Sequence, residues 1–544
     1  MSFKSFPTYR LEQLIGEKIL TKVAGILPAF DTSIDIDNIY TKTNLVKIIY
    51  SFLDSSDFAD AELRREFLGY ATEAQINGLC QKVGVKTDLS FDKKVDKIIS
   101  KGWTSPTFAK TFCDHFELPE TFIPQPKVEF ENYEEIPPAP HRFKTLKDYQ
   151  ADICFRAINN LQYRNSRFII QMPTGSGKTR TAMEIIADTF NRDGDNCLIF
   201  WLVYSEELCE QAVESFSDIW RHIGNKTVKL VRAWGKNKLA LHENDSFAFV
   251  VGGFQKLYAQ LGTNPELFRG LKDRTKLIVV DEAHRVMAPT YKKVTDALFG
   301  VDSHLIGLTA TPGRGIENIE ETEKLSDYFN REKLDVNVPD GRTVFAYFKS
   351  RGILSHATFK PLVTSPTFSL TAKDIKYLED HYDFPPAFVK RIGEDETRNV
   401  EIVNELKAHI HDHEKIIFFG CSVEHSKFIC SLLNYFQVRA AHVDGTTDKG
   451  ARQATLDSFK NGALQVLCNF GILSTGFDAP KTNLVFIARP TKSIVLYSQM
   501  IGRGLRGPAV GGTENCTVVT VRDNIIGLPN ESNIFTFFDD YFDN

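Results

Sequence analysis

The sequence predicts an α/β protein: two tandem, doubly wound parallel-sheet lobes preceded by a mostly helical N-terminal domain. Three observations carry this. Short, near-continuously apolar runs recur in two sets after residue 143, as strands buried on both faces require. Helical segments alternate with them, the pattern of an α/β layer architecture. Residues 1–123 instead place apolar residues mostly at helical spacing.

In chain order, residues 1–123 read as a helical accessory or partner-binding domain, with helices over Asn44–Leu53, Ala59–Val83 and Lys93–Ile99. Residues 124–142 concentrate proline and carboxylate, through Glu134-Glu-Ile-Pro-Pro-Ala-Pro140, and read as an extended acidic linker. The first lobe, 143–315, has strand candidates Phe168–Met172, Cys197–Val203, Phe247–Val251, Leu277–Val280 and Leu305–Leu308. Residues 316–395 are less regular and join the lobes. The second lobe, 396–544, has candidates Ile416–Phe419, Ala440–Val443, Leu464–Cys468, Leu484–Ile487 and Val518–Val521. Its last residues, Asn533–Asn544, interleave aromatics with acids and read as a tail folded against that lobe.

Bulk properties bound the function. With 544 residues, 42% hydrophobic and 25% charged, the composition is that of an ordinary globular protein. No run approaches the roughly 18 apolar residues of a membrane span, so no membrane partner is expected. Met1 to Phe30 is broken by Arg10, Glu12, Glu17, Lys18 and Lys22 and is not a secretory signal. Nine scattered cysteines without a paired spacing argue against a disulfide framework or a zinc knuckle, and for a cytoplasmic setting. The net charge of −5 sits in residues 1–140, with 16 basic against 21 acidic side chains; the remainder balances. The acidic front is thus a poor phosphate-contacting face.

Two segments carry chemistry. Pro173-Thr-Gly-Ser-Gly-Lys-Thr179 follows one strand candidate and opens a helical stretch. Glycines let successive N–H groups turn toward phosphate oxygens, and the helix N-terminus adds a favourable partial charge. Lys178 would reach the β- and γ-phosphates and the Thr179 hydroxyl would hold Mg²⁺. Pro173, Thr174, Gly175, Ser176 and Gly177 complete the cradle, although Met172 stands where the strict P-loop pattern has its first glycine. The second segment, Leu277-Ile-Val-Val-Asp-Glu-Ala-His284, ends an apolar strand in two carboxylates. Asp281 can hold Mg²⁺ through water, and Glu282 can orient and deprotonate an attacking water.

With these motifs in this order, residues 140–525 resemble helicase superfamily 2, most closely its restriction-enzyme motor and transcription-repair DNA helicase branch. The resemblance implies two RecA-like lobes, ATP and Mg²⁺ as cofactors, and a nucleic-acid-stimulated ATPase of the DEAH type. It implies that Gln150, in Thr145-Leu-Lys-Asp-Tyr-Gln150, reads the adenine edge. Ser205 and Gln255 of lobe 1, and Ser422 and Thr475 of lobe 2, become nucleic-acid contacts. His284, Thr309, Thr311 and Gln499 become coupling residues, and Arg285 a further member of that network or a solvated charge.

Leu473-Ser-Thr-Gly-Phe-Asp-Ala-Pro480 resembles the family's fifth motif, with Gly476 at a tight turn and Asp478 facing the ribose or the coupling network. Its form resembles DNA motors more than DEAD-box RNA helicases, which favours DNA over RNA. Gln499-Met-Ile-Gly-Arg-Gly-Leu-Arg506 resembles the arginine-finger motif. Arg503 and Arg506, three apart on a predicted helix, would aim together at the γ-phosphate. His425 and His442 lack partners at ligand spacing and are read as structural. The implied context is restriction, repair or antiviral defence, with a protein partner such as a nuclease on residues 1–123. An autoinhibitory or merely stabilising role for that domain stays open. So do an ATP-gated nucleic-acid sensor, which recruits its partner without moving, and an RNA helicase.

Overall fold

The computed structural model describes residues 3–30, 39–50, 53, 55, 57–119, 122–124, 131–139, 145–194, 196–242, 245–310, 319–338, 341–381, 383–447, 449–473, 479 and 481–526. Thr311, Thr475, Gly476, Asp478 and the aromatic-acidic tail lie outside them.

The N-terminal domain is helical: α1 (Thr8–Ile15), α2 (Glu17–Ile26), α3 (Lys42–Ile49), α4 (Ala61–Gly69), α5 (Glu73–Val83), α6 (Phe91–Ile99) and α7 (Pro106–Phe116). The single helix expected over Ala59–Val83 is two. Thr72 starts the second with a capping box, its side chain on the Gln75 N–H and the Gln75 side chain on the Thr72 N–H. Phe58, Phe67, Phe112, Phe116 and Phe122 fill the centre of this domain, fully buried.

Lobe 1 is an eight-stranded sheet. Its strands are β1 (Tyr133–Ile136), β2 (Arg167–Gln171), β3 (Cys197–Val203), β4 (Val228–Ala233), β5 (Phe247–Gly253), β6 (Thr275–Asp281), β7 (His304–Thr309) and β8 (Lys333–Asp335). They run in the order β1-β4-β5-β3-β6-β7-β2-β8. All pairings are parallel except β1 with β4, which is antiparallel. The central strand β3 is buried at every residue. Its helices are α8 (Asp148–Asn160), α9 (Lys178–Asp193), α10 (Glu206–Ile223), α11 (Phe254–Thr263), α12 (Pro265–Lys272), α13 (Pro289–Leu298) and α14 (Ile319–Tyr328).

Helix α15 (Val344–Ser350) leads into lobe 2. Its sheet is β9 (His356–Ser369), β10 (Ile416–Phe419), β11 (Ala440–Asp444), β12 (Val466–Phe470), β13 (Leu484–Ile487) and β14 (Asn515–Ile526). The order is β11-β12-β10-β13-β14-β9, parallel throughout. Its helices are α16 (Ala372–His381), α17 (Pro386–Gly393), α18 (Glu396–His409), α19 (Val423–Tyr435), α20 (Lys449–Lys460) and α21 (Ile494–Ile501).

Two segments differ from expectation. Within the supposed linker, β1 pairs with β4 and seats Ile136 in the lobe 1 core. The buried Arg232 guanidinium on β4 meets Glu134 of β1 at 2.6 Å, so the carboxylates there answer a buried cation. Within the connecting stretch, β8 completes sheet 1 and β9 completes sheet 2.

The N-terminal domain packs on lobe 2. Helix α19 lies against α2 and α3, and one apolar cluster takes in Leu45 and Ile49 of α3 with Ile429 and Leu433 of α19. Phe30 and Phe436 rings meet edge-on at 5.2 Å, and the Lys407 ammonium lies 3.9 Å from the Phe436 ring centre. Inside lobe 2, the fully buried Arg398 guanidinium grips Asp523 bidentately at 2.6 and 2.9 Å, tying α18 to β14. Thr364 of β9 donates to the same carboxylate at 2.9 Å. Such a pair is costly to break from one side, because the other charge stays buried.

Candidate nucleotide site between the lobes

Strand β2 ends at Gln171, and the turn to α9 is the expected phosphate cradle. The Met172 N–H donates to the Thr309 carbonyl at 3.1 Å, which docks the start of the turn on β7. Gly177, at φ 90°, caps α9 in the left-handed region, where a Cβ would be strained. The Ser176 hydroxyl donates to the Pro173 carbonyl at 2.7 Å and closes the turn on itself. Lys178 is the first residue of α9, and its ammonium donates to the Met172 carbonyl at 3.1 Å. Burial pushes its pKa down, Glu282 and Asp281 oppose that, and Arg503 of lobe 2 adds to it. Thr179 sits half-buried on the first turn of the same helix.

Strand β6 delivers Asp281 beside this lysine. Glu282 follows at φ 53°, a left-handed conformation uncommon for a non-glycine residue and found at sites held by their surroundings. The Glu282 N–H donates to Asp281 Oδ1 at 3.0 Å. Burial first, then Glu282, pushes the Asp281 pKa up to about 7, against the pull of Lys178. Lys178 compensates this buried carboxylate only in part, and a divalent cation would restore its charge. Asp281 is the carboxylate that would hold Mg²⁺ here, with the Thr179 hydroxyl on the first turn of α9 as the expected second oxygen. Buried His284 holds Nδ1 3.4 Å from Glu282 Oε2 and can orient that carboxylate. Thr309, at the end of β7, is fully buried.

Gln150 is buried in the first turn of α8 with both ends of its amide engaged. Oε1 accepts from the Lys147 N–H at 3.0 Å, and Nε2 faces the Ser176 and Gly177 carbonyls at 3.4 and 3.5 Å. It lies against the phosphate turn, and its Oε1 keeps a second lone pair beyond the bond from Lys147. Tyr149, which no motif marks, donates its hydroxyl to the Ser176 carbonyl at 2.7 Å.

Arg503 and Arg506 are not on a helix. Helix α21 stops at Ile501 with Gly502 as its C-cap; Arg503 lies in the turn behind it, and Arg506 pairs with Leu354 in an isolated antiparallel bridge. Three glycines within six residues, Gly502, Gly504 and Gly507, end the helix. The arginine loop nevertheless faces the cradle of the other lobe. A Cβ on Gly502 would fall 2.4 Å from Thr174 Cγ2, and the Cβ position of Gly175 lies 3.5 Å from Arg506 Cγ. The Arg503 Nε–H donates to the Gln499 carbonyl at 3.2 Å. Gln499 is buried, and its Nε2 has no hydrogen-bond partner among the described residues.

The expected nucleic-acid contacts are less uniform. The Ser205 hydroxyl caps α10, accepting from the Leu208 N–H, and that of Ser422 caps α19, accepting from the His425 N–H at 3.0 Å. Gln255 is exposed on the first turn of α11. The Arg285 guanidinium lies 4.0 Å from the Tyr204 ring centre, a stacked cation beside the Ser205 turn. Arg452 of α20 reaches Glu207 of α10 across the lobes at 2.6 Å. No sequence motif announced that pair. His442 bridges Ser426 and Asp444, each at 2.8 Å. The His425 Nδ1 accepts from the Cys421 N–H at 3.0 Å, and burial holds its pKa well below the usual histidine value.

The family described as "Type III restriction enzyme, res subunit" matches residues 143–314, and "Helicase conserved C-terminal domain" matches residues 398–507. A Saccharomyces cerevisiae protein carrying the helicase name IRC3 is 26% identical over 66% of this chain and 49% of its own length. A Lactococcus phage protein known by its mass of 51.5 kDa is 28% identical over 62% of each chain. The chain thus spans less than two thirds of either relative. The solved ATP-dependent Type ISP restriction-modification enzyme LlaBIII, bound to DNA, aligns at TM-score 0.50 and 18% identity, covering 73% of this chain and 29% of that one. That likeness is one of fold. The chain thus carries, in order, a res-subunit domain that holds the phosphate cradle and its carboxylates and a helicase C-terminal domain that ends at the arginine loop, the domain pair of superfamily 2 helicases related to restriction-enzyme motor subunits.

Proposed function

We propose that the chain is a DNA motor that hydrolyses ATP in the cleft between its lobes. The observation that supports this most is the approach of Arg506 and Gly502 in lobe 2 to Gly175 and Thr174 in lobe 1. One lobe supplies the cradle and carboxylates and the other the arginines, so turnover requires the cleft to close and its release reopens it.

In this reading the ATP·Mg²⁺ complex brings a phosphoryl group poised for transfer. Lys178 and the Gly175–Gly177 backbone bind its phosphates. Thr179 and Asp281 hold the ion. Glu282 takes the proton of the attacking water, and Arg503 and Arg506 neutralise charge as it develops. Tyr149 positions the cradle from behind through the Ser176 carbonyl, and Gln150 beside it reads the adenine edge. Ser205, Gln255, Ser422 and Thr475 contact the nucleic acid, Thr309, Thr311, His284 and Gln499 couple it to the nucleotide, and Gly476 and Asp478 serve the nucleotide itself. Contacts to phosphates rather than bases leave the motor largely indifferent to sequence.

DNA is favoured because a res-subunit family matches the first lobe and because LlaBIII was solved on DNA. Residues 1–123 are the proposed seat of a protein partner, such as a nuclease. Nine free, buried cysteines fit a cytoplasmic setting. Among the described residues no helix is long and apolar enough to cross a membrane.

Steady-state ATPase of wild type beside Lys178→Ala tests the reading, with no polymer, single-stranded, duplex and branched DNA, and RNA. Stimulation by a DNA form, lost in the variant, is the expected result. Stimulation by RNA alone would overturn the DNA assignment. Activity indifferent to every polymer would overturn the motor.

A further inference from the structure

Between the lobes, Val344–Ser355 touches both halves of the nucleotide site. On the lobe 1 side, Phe348 of α15 packs its ring 4.7 Å from that of Tyr149, whose hydroxyl holds the Ser176 carbonyl of the phosphate turn. The Arg351 guanidinium pairs with the Asp148 carboxylate and donates to the Tyr347 hydroxyl at 2.6 Å. Asp148, Tyr149 and Gln150 are the first three residues of α8.

On the lobe 2 side, the same segment templates the arginine loop. The fully buried Ser355 hydroxyl lies 2.6 Å from both the Arg506 and the Thr513 carbonyl oxygens. The Ser355 N–H donates to the Leu505 carbonyl at 3.0 Å. In return, the Gly507 N–H donates to the Ile353 carbonyl at 2.9 Å and the Ala509 N–H to the Gly352 carbonyl at 2.8 Å. The approach is so close that a Cβ on Gly507 would fall 2.2 Å from the Gly352 oxygen.

We propose that Val344–Ser355 is a strap that transmits the position of the first turn of α8 to the arginine loop, with Arg351 and Ser355 as positioning residues for Arg506. The inference rests on the ATP-hydrolysis reading above. An arginine acting from the opposite lobe needs a backbone held to a fraction of an ångström, and a misplacement of about 1 Å can cost roughly 10²-fold in rate. The loop after α21 is neither helix nor strand and is glycine-rich, so its shape comes from what it lies on. The strap provides that template and is itself anchored beside the phosphate turn. The Arg351–Asp148 pair is 40% and 57% exposed at its two side chains. Exposed pairs contribute little stability, so its consequence is geometric.

The test is ATP turnover at saturating nucleic acid, with nucleotide affinity from a fluorescent ATP analogue, for Arg351→Ala, Asp148→Ala, their double variant and Ser355→Ala. Thermal melting of each reports folding. Expected is a kcat lowered roughly tenfold to hundredfold, with affinity changed far less and melting little altered for the two surface substitutions. The double variant should be no worse than either single one, because both cut the same tie. Unchanged kcat in Arg351→Ala, a loss confined to affinity, or additive losses in the double variant would overturn the strap while leaving the motor intact. Wild type that hydrolyses no ATP with any polymer would overturn both readings.

Discussion

The phosphate side of the site and the arginine side are built by opposite means. In lobe 1, Lys178, Thr179, Asp281 and Glu282 sit where a strand ends and the next element begins, and each is placed by its immediate neighbours in sequence. In lobe 2, Arg506 sits in a loop shaped by residues about 150 positions away, Gly352 to Ser355. A local site fails when its own chemistry is removed. A templated site also fails when a remote contact is lost with every reacting group still present.

Substitutions can break or sharpen that contrast. The largest effect is expected from Arg506→Ala, a loss of roughly 10³–10⁵ in kcat with nucleotide affinity far less changed. Loss of affinity alone, measured by equilibrium binding, would remove Arg506 from the reaction. Glu282→Gln should bind ATP normally and lose roughly 10²–10⁴ in turnover, as removal of a general base does; wild-type hydrolysis would show that water is activated elsewhere.

Gly507→Ala touches no reacting group, yet its methyl would overlap the Gly352 carbonyl. Turnover should drop by about 10²-fold through misplacement, and normal single-turnover rates would mean that the loop is not templated.

A fourth test uses pH. Burial raises the folded-state pKa of Asp281 to about 7, against roughly 3.9 when unfolded. Its carboxyl is then neutral in the folded state and ionised in the unfolded chain over that window. Relative stability is full below about pH 4 and is lost as pH rises through about 7. Metal-free wild type should lose melting temperature across this window relative to Asp281→Asn, and parallel profiles would show that Asp281 is already compensated. The smallest effect is expected at the second tie between the lobes. Glu207→Ala leaves Arg452 its bonds to the Gly445 and Thr447 carbonyls and should change stability by about 1 kcal/mol, with kcat close to wild type. A large kcat loss there would mean that the strap does not position the loop alone.

The same contrast explains what the sequence discloses. Cys197–Val203 and Ile416–Phe419 are found at their observed ends because every residue of each is buried and apolar. Val228–Ala233 escapes notice because Lys229 and Arg232 interrupt its apolar run, and the charge of Arg232 is answered by Glu134 in a segment that reads as linker. His356–Ser369 escapes because it is an edge strand, largely exposed, with two prolines. The helix expected under Arg503 and Arg506 fails for a different reason. Periodicity carries α21 forward, while glycines and distant partners end it. Ser205 and Ser422 are legible as strand-end hydroxyls, but each also fits a helix cap, which the surrounding letters do not separate from a phosphate contact.

The seam between the N-terminal domain and lobe 2 has a mechanical consequence. Leu45 and Ile49 share one dry interior with Ile429 and Leu433, so the seam resists shear as the middle of a single domain does. In the proposed motor, the helical domain would therefore travel with lobe 2 as one body, and a partner seated on it would feel each closure of the cleft.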